Sequence, residues 1–347
     1  MMSTAQNWRY DAGDHVVALA WLADGQSLVV LPAEGNIAVL DRASGAVQFT
    51  LPPHRLGNCA LSASRTVPLI VTAGQDGKAR IYHTGTGDLV RELSTSDTKG
   101  DWCEHAQFSP DGKLLATAAG RTLRVWTSAG EPVFEATAHG STVAALAWRP
   151  DSAGVATGCY NGAQLFRAKN GVWQCEPYEE LRWKGSIISL TWSPNGRYVA
   201  GGSQEATIQF WRLPYCAGEE LFMSGYATKV RELAWDATSR YLASGGGQIV
   251  TVWDVSGRGP AGTMPKQLEG HKDRVTALAF QHCGPLLGSG GADGRIFLWD
   301  LAKGRRNRQE LQARSAIAAL AWSANDTAFA IGAADGSVCA WESRIIQ

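Results

Sequence analysis

The sequence predicts an all-β protein, a closed β-propeller of four-stranded antiparallel blades, eight in number with seven as the alternative. Three observations predict it. A short apolar strand, usually ending in an aromatic residue, recurs eight times. The ends of the third strands, from Leu40 to Trp341, are spaced by about 43 residues, which is the length of one blade. Asp-Gly and Asn-Gly pairs punctuate the repeats where tight antiparallel hairpins need positive φ.

The first strands, in chain order, are Val16–Trp21, Asn58–Ala63, Cys103–Phe108, Val143–Trp148, Ile187–Trp192, Val230–Trp235, Val275–Phe280 and Ile317–Trp322. Turns to the second strand follow at Asp24-Gly25, Asp111-Gly112 and Asn195-Gly196. Turns to the third lie at Asp76-Gly77, Asn161-Gly162, Asp293-Gly294 and Asp335-Gly336. The third strands end at Leu40, Tyr82, Trp126, Phe166, Trp211, Trp253, Trp299 and Trp341. Strands such as VVALAW are apolar throughout rather than alternating, as expected of sheets that bury both faces against neighbours. Recurrent alanines in the first strands (Ala18, Ala20, Ala145, Ala147, Ala319, Ala321) suit strands crowded around an axis. No stretch has the period of a useful amphipathic helix.

Gly270–Asp300 opens on Gly-His and closes on Trp-Asp, and Trp253-Asp254 repeats the ending. This segment resembles a WD40 repeat, and the resemblance extends over essentially the whole chain. It implies a ring that acts as an interaction platform and is closed by an N-terminal strand. Here Gln6–Asp11, with Trp8 and Tyr10 at alternating positions, are expected to supply the outer strand of the last blade, making residues 1–347 a single domain. The resemblance also implies a buried polar network of His271, Ser289, Asp293 and Trp299. Indole N–H bonds hydroxyl, hydroxyl bonds imidazole, and imidazole bonds carboxylate. His54, Thr72, Asp76 and Tyr82 are its relative in the second repeat. The other repeats are degenerate: Asn161 stands for Asp in the fourth, and Gly247-Gln248 shortens the turn of the sixth.

Composition narrows the function. Lys+Arg and Asp+Glu are both 32, so the net charge is zero, which argues against nucleic acid as a partner. The seven cysteines are scattered, odd in number and without a Cys-x-x-Cys pair. They are expected to be free, mostly buried thiols in a reducing compartment. The N-terminus lacks the basic and apolar regions of a signal peptide. Val16–Ala23 is too short to cross a bilayer. A cytoplasmic location without a membrane partner is the expectation.

Catalysis is not expected. His271, Ser289 and Asp293 have the residue types of a hydrolytic triad, but their spacing is that of the buried network, and a buried serine cannot reach a substrate. Gly257–Gly262 matches G-x-G-x-x-G by letter, yet Pro260 interrupts it and no helix follows to bind phosphate. Cys103, Glu104 and His105 offer metal-ligand types, and strand alternation puts Cys103 and His105 on one side. A zinc site needs three or four ligands, so no metal or other cofactor is assigned. A ligand- or metal-binding channel mouth is kept as the alternative function.

The resemblance places partner binding on the loops that enter the first strands. Those loops carry Arg55, Lys99, Trp102, Lys184, Tyr226, Lys229, Lys272, Arg274 and Arg314, with Arg231 and Glu104 just inside. The set is largely basic with two aromatics, the types enriched at interface hot spots. One or more proteins are the expected partners of a non-catalytic scaffold. An acidic rim (Glu176, Glu179, Glu180, Glu219, Glu220) and a basic one (Arg258, Lys266, Lys303, Arg305, Arg306, Arg308) fall on the outer parts of other repeats.

Overall fold

The computed structural model describes residues 8–137, 139–257, 259–302 and 308–342. Gln6, Arg258, Lys303, Arg305 and Arg306 lie outside the described residues, as does the side chain of Arg308. Every regular element among the described residues is a β-strand, and the strands form antiparallel sheets of the β-propeller type. The chain divides into two compact units, Met1–Pro53 with Ala234–Gln347, and His54–Leu233.

The first unit holds four four-stranded sheets. Three follow chain order: Val16–Trp21 to Val47–Leu51, Leu233–Trp235 to Lys266–Leu268, and Val275–Phe280 to Arg308–Gln312. The fourth takes Ile317–Trp322, Ala328–Ala333 and Ser337–Glu342, then adds Trp8–Asp11 from the far end of the sequence. Trp8 stands opposite Ala340 and Asp11 opposite Ser337.

The second unit holds the four-stranded sheets of repeats two and three, Asn58–Ala63 to Leu89–Ser94 and Cys103–Phe108 to Pro132–Ala136. Repeats four and five share one seven-stranded sheet. Two long strands cause the merger. Gly154–Lys169 folds back on itself at Asn161 (φ 72°) and Gly162 (φ 121°), a turn with both central φ values positive. Glu179–Trp192 pairs with that hairpin at one end and with Tyr198–Ser203 at the other. It is therefore the outer strand of one repeat and the inner strand of the next, with no loop between.

The cores lie between successive repeats rather than within one. One cluster joins Trp21 and Leu28 of repeat one to Ala330 and Val338 of repeat eight; another joins Ala147 and Leu165 to Trp192 and Trp211. Two devices recur at these joints. The tryptophan ending an inner strand donates its indole N–H to a carbonyl of the preceding inner strand: Trp21 to Ala321 (3.2 Å), Trp148 to Gln107 (2.8 Å), Trp192 to Ala147 (3.3 Å) and Trp322 to Ala279 (3.2 Å). A glycine of the second strand leaves a gap that the next inner strand fills. A Cβ on Gly332 would lie 2.4 Å from Val16, on Gly290 2.4 Å from Ile317, and on Gly158 2.8 Å from Ile187.

The structure departs from the sequence reading in two details of the inner strands. Their middle residues are half-buried, whereas second strands such as Ser27–Pro32 and Ala328–Ala333 are buried throughout. An inner strand is the edge of its sheet, so one side has no further strand to cover it. In repeats four and six, pairing starts only at Ala145 and Leu233, not at Val143 and Val230. There the Val143 N–H goes to Gly120 O (2.8 Å) and the Val230 N–H to Ser203 O (3.1 Å), in the preceding repeats.

Candidate interaction face

Three histidines organise the loops that enter inner strands. In repeat seven, Trp299 donates its indole N–H to Ser289 Oγ (2.8 Å), and Ser289 Oγ lies 2.9 Å from His271 Nε2. His271 Nδ1 lies 3.3 Å from Asp293 Oδ1. The Asp293 carboxylate also accepts the backbone N–H groups of Lys272 (2.6 Å) and Arg295 (3.0 Å). Burial opposes its charge, but these bonds and His271 hold its pKa below the usual carboxylate value. Ser289 is fully buried, with its hydroxyl enclosed by Trp299 and His271, so it has no access to a substrate.

In repeat two, His54 Nε2 meets Thr72 Oγ1 (2.9 Å), and His54 Nδ1 meets Asp76 Oδ1 (2.8 Å). Tyr82 corrects the expected quartet: its buried hydroxyl makes no hydrogen bond to Thr72. An indole carries its N–H on the ring edge, whereas a phenol carries its oxygen at the far tip. The third histidine was not foreseen. His139 Nε2 meets Thr157 Oγ1 (2.9 Å), and its Nδ1–H donates to Arg121 O (2.9 Å). The signal was present, because each histidine stands 18 residues before its hydroxyl partner. His139, however, precedes its glycine instead of following one.

These rings give a pH prediction. Burial lowers the pKa of His54 and of His139, so both stay neutral in the fold. Below about pH 6.5 the unfolded chain therefore takes up protons that the folded chain refuses, and stability falls with pH. Asp76 and Asp293, both lowered, add their loss below about pH 4. Thermal melts between about pH 7.5 and 5 should show a steady decline; a flat profile over that range contradicts the assignment.

The candidate face residues fall in both units. In the second, Arg55, Lys99, Glu104, Lys184, Lys229 and Arg231 are exposed, Trp102 is 47% exposed, and Tyr226 is half-buried. In the first, Lys272, Arg274 and Arg314 are exposed. Two cavities of the second unit open along this edge. One, of about 470 Å³, is lined by Asp97, Thr98 and Asp101 beside Lys99 and Trp102, and by Arg121 and Thr142. The other, of about 600 Å³, is lined by Tyr160, Asn161, Trp183 and Lys184. Sequence reading did not single out Tyr160 or Trp183, which only the fold brings to one cavity.

The metal-ligand types at Cys103, Glu104 and His105 do not assemble. The inner strand of repeat three carries a bulge at its second residue, Glu104, so that Cys103 and His105 oppose the consecutive residues Ala119 and Ala118. The bulge breaks the alternation that would have put both side chains on one side. Burial raises the Cys103 thiol to about 12 and lowers His105 to about 4. Among the described residues, no group of three or more His, Cys, Asp or Glu could hold a metal ion. The cysteines are less buried than expected: Cys175, Cys216 and Cys283, in connections between strands, are exposed.

Comparison with known proteins gives consistent matches. The WD40 family, described as "WD domain, G-beta repeat", matches residues 87–127, 130–163, 176–212, 219–254, 262–300 and 306–342, more than half of the chain. Mouse "Telomerase protein component 1" is 25% identical over 332 residues, 93% of this chain but 12% of that protein. Arabidopsis thaliana "Cell division cycle 20.1, cofactor of APC complex" is 31% identical over 172 residues, 46% of this chain and 36% of its own length. Human "Angio-associated migratory cell protein" is 23% identical over 334 residues, covering 91% and 74% respectively. The crystal structure of the computationally designed Ika8 protein superposes with a TM-score of 0.78 at 24% identity, over 96% of this chain and 97% of that one.

Proposed function

Because this chain belongs to the WD40 family of repeat proteins, we propose that it is a non-catalytic scaffold that binds one or more proteins through the loops entering its inner strands. One observation carries the reading: both cavities described above open on that edge, one beside the exposed Lys99 and Trp102 and the other on the exposed Tyr160 and Lys184. The relative described as a cofactor of the APC complex is consistent with a role in assemblies. The buried state of Ser289, and the use of His271 and Asp293 in loop bonds, support a structural role for the one triad-like set.

Such loops confer partner choice through charge and aromatic anchors while the sheets stay rigid. Reversing two exposed cations, Arg231→Glu and Arg274→Glu, is expected to weaken partner capture about tenfold or more, since like-charge contacts cost several kcal/mol. The check is quantitative affinity capture from native host extract, with melting curves to show that the variants remain folded. Unchanged capture by both variants removes this face from consideration.

A further inference from the structure

Resting on that reading of the loop edge, we propose that the pocket beside Tyr160 and Trp183 receives a cationic segment of a partner protein. An arginine or lysine side chain lies against the two aromatic rings.

Two aromatic residues far apart in sequence, Tyr160 and Trp183, line the pocket, and a third packs on one of them. Tyr160 is 54% exposed, held just before the tight turn at Asn161 and Gly162. Trp183 comes from the strand shared by repeats four and five. Phe222, in the outer strand of repeat five, is 62% exposed and packs on Trp183 with ring centroids 6.2 Å apart. Tyr160 and Phe222 thus keep aromatic surface open to contact.

Charge decides the occupant. Glu180 pairs with Arg182 at 3.3 Å. Glu179, Glu219 and Glu220 have no ion-pair partner among the described residues. The lining itself is balanced, Glu180 and Glu220 against Arg182 and Lys184; the surplus comes from Glu179 and Glu219, each next in sequence to a lining carboxylate. Glu220, Glu179 and Arg182 all act on Tyr215, so they form one patch. Backbone N–H groups, its own and that of Gly218 at 2.7 Å, lower the Glu220 pKa and keep it charged. An aromatic lining flanked by surplus carboxylates suits a cation, which gains both ring attraction and charge complementarity. An anionic segment meets repulsion at the same place.

The test is fluorescence anisotropy with the full chain and a fluorescein-labelled peptide of alternating Gly and Arg, with the Gly-Glu peptide as its counterpart. The Gly-Arg peptide is expected to bind saturably and the Gly-Glu peptide not at all. Tyr160→Ala should weaken binding roughly five- to tenfold, and Tyr160→Phe, which keeps the ring, should retain it. The pair Glu219→Gln and Glu220→Gln should weaken it by a similar factor. Glu34→Gln, an exposed carboxylate in the other unit, should not. The proposal is overturned if Tyr160→Ala binds as the parent does, if Glu34→Gln loses as much as the paired variant, or if the Gly-Glu peptide binds better. The titration uses purified protein alone, so its failure leaves the partner-capture result standing, and failure of capture leaves the titration intact.

Discussion

Replacing Trp8 with alanine is expected to lower stability by about 3–5 kcal/mol, the cost of emptying a large buried aromatic site. Trp8 is the anchor of the strand that completes the eighth repeat's sheet. It is buried, and its indole N–H donates to Arg42 O at 2.6 Å. Its ring lies over Gly45, where an added Cβ would stand 2.6 Å from the ring; Gly45 also has φ +70°, which side chains resist. Arg42 is a junction in its own right. Its guanidinium bonds both Glu342 oxygens and the carbonyls of Gly25 (3.1 Å) and Thr327 (3.0 Å). Loss of Trp8 therefore loosens the hold of Trp8–Asp11 on Ser337–Glu342 and bares a strand edge prone to pairing with other chains. Urea unfolding should show a lower midpoint, with more aggregation on refolding. A midpoint equal to the parent's contradicts the anchoring role.

The second large effect is expected at Trp299. Trp299→Ala should cost about 3–5 kcal/mol, because the ring is almost wholly buried and packs on Phe297 with centroids 5.0 Å apart. Trp299→Phe separates packing from polarity. It keeps most of the ring but removes the N–H that reaches Ser289. The Ser289 hydroxyl still has His271, so the added loss should be about 1–2 kcal/mol. Denaturant titrations of both variants give the two numbers. If the phenylalanine variant matches the parent, the indole hydrogen bond contributes nothing. If it matches the alanine variant, the hydrogen bond and not the packing holds the site.

Much of this architecture is legible in the residues, and the gaps have physical causes. Inner strands and hairpin turns announce themselves because side-chain type responds directly to burial and to positive φ, as at Val16–Trp21 and Asp293-Gly294. The bulge at Glu104 leaves no such trace, since it is a choice of backbone register. That is why alternation misplaced Cys103 against His105. The merged sheet of repeats four and five was hidden for a related reason: a strand that passes from one repeat to the next needs no turn residue to mark the passage. Tyr82 shows the limit of matching by position, because an aromatic of the right size lacks a donor in the right place. The pocket at Tyr160 was out of reach because Trp183 comes to it only through the fold.

The glycine gaps at Gly158, Gly290 and Gly332 carry a consequence for how such a chain can change. Each joint is directional: one repeat offers a socket, and its successor brings a β-branched peg of the same kind, Ile187, Ile317 or Val16. A duplicated quartet of strands, spliced between separate sheets as at Gly290 and Gly332, would arrive with both halves of the fitting and suit each neighbour without redesign. Gain or loss of whole modules is thus tolerable to the packing, whereas a fragment of a module brings a peg without a socket.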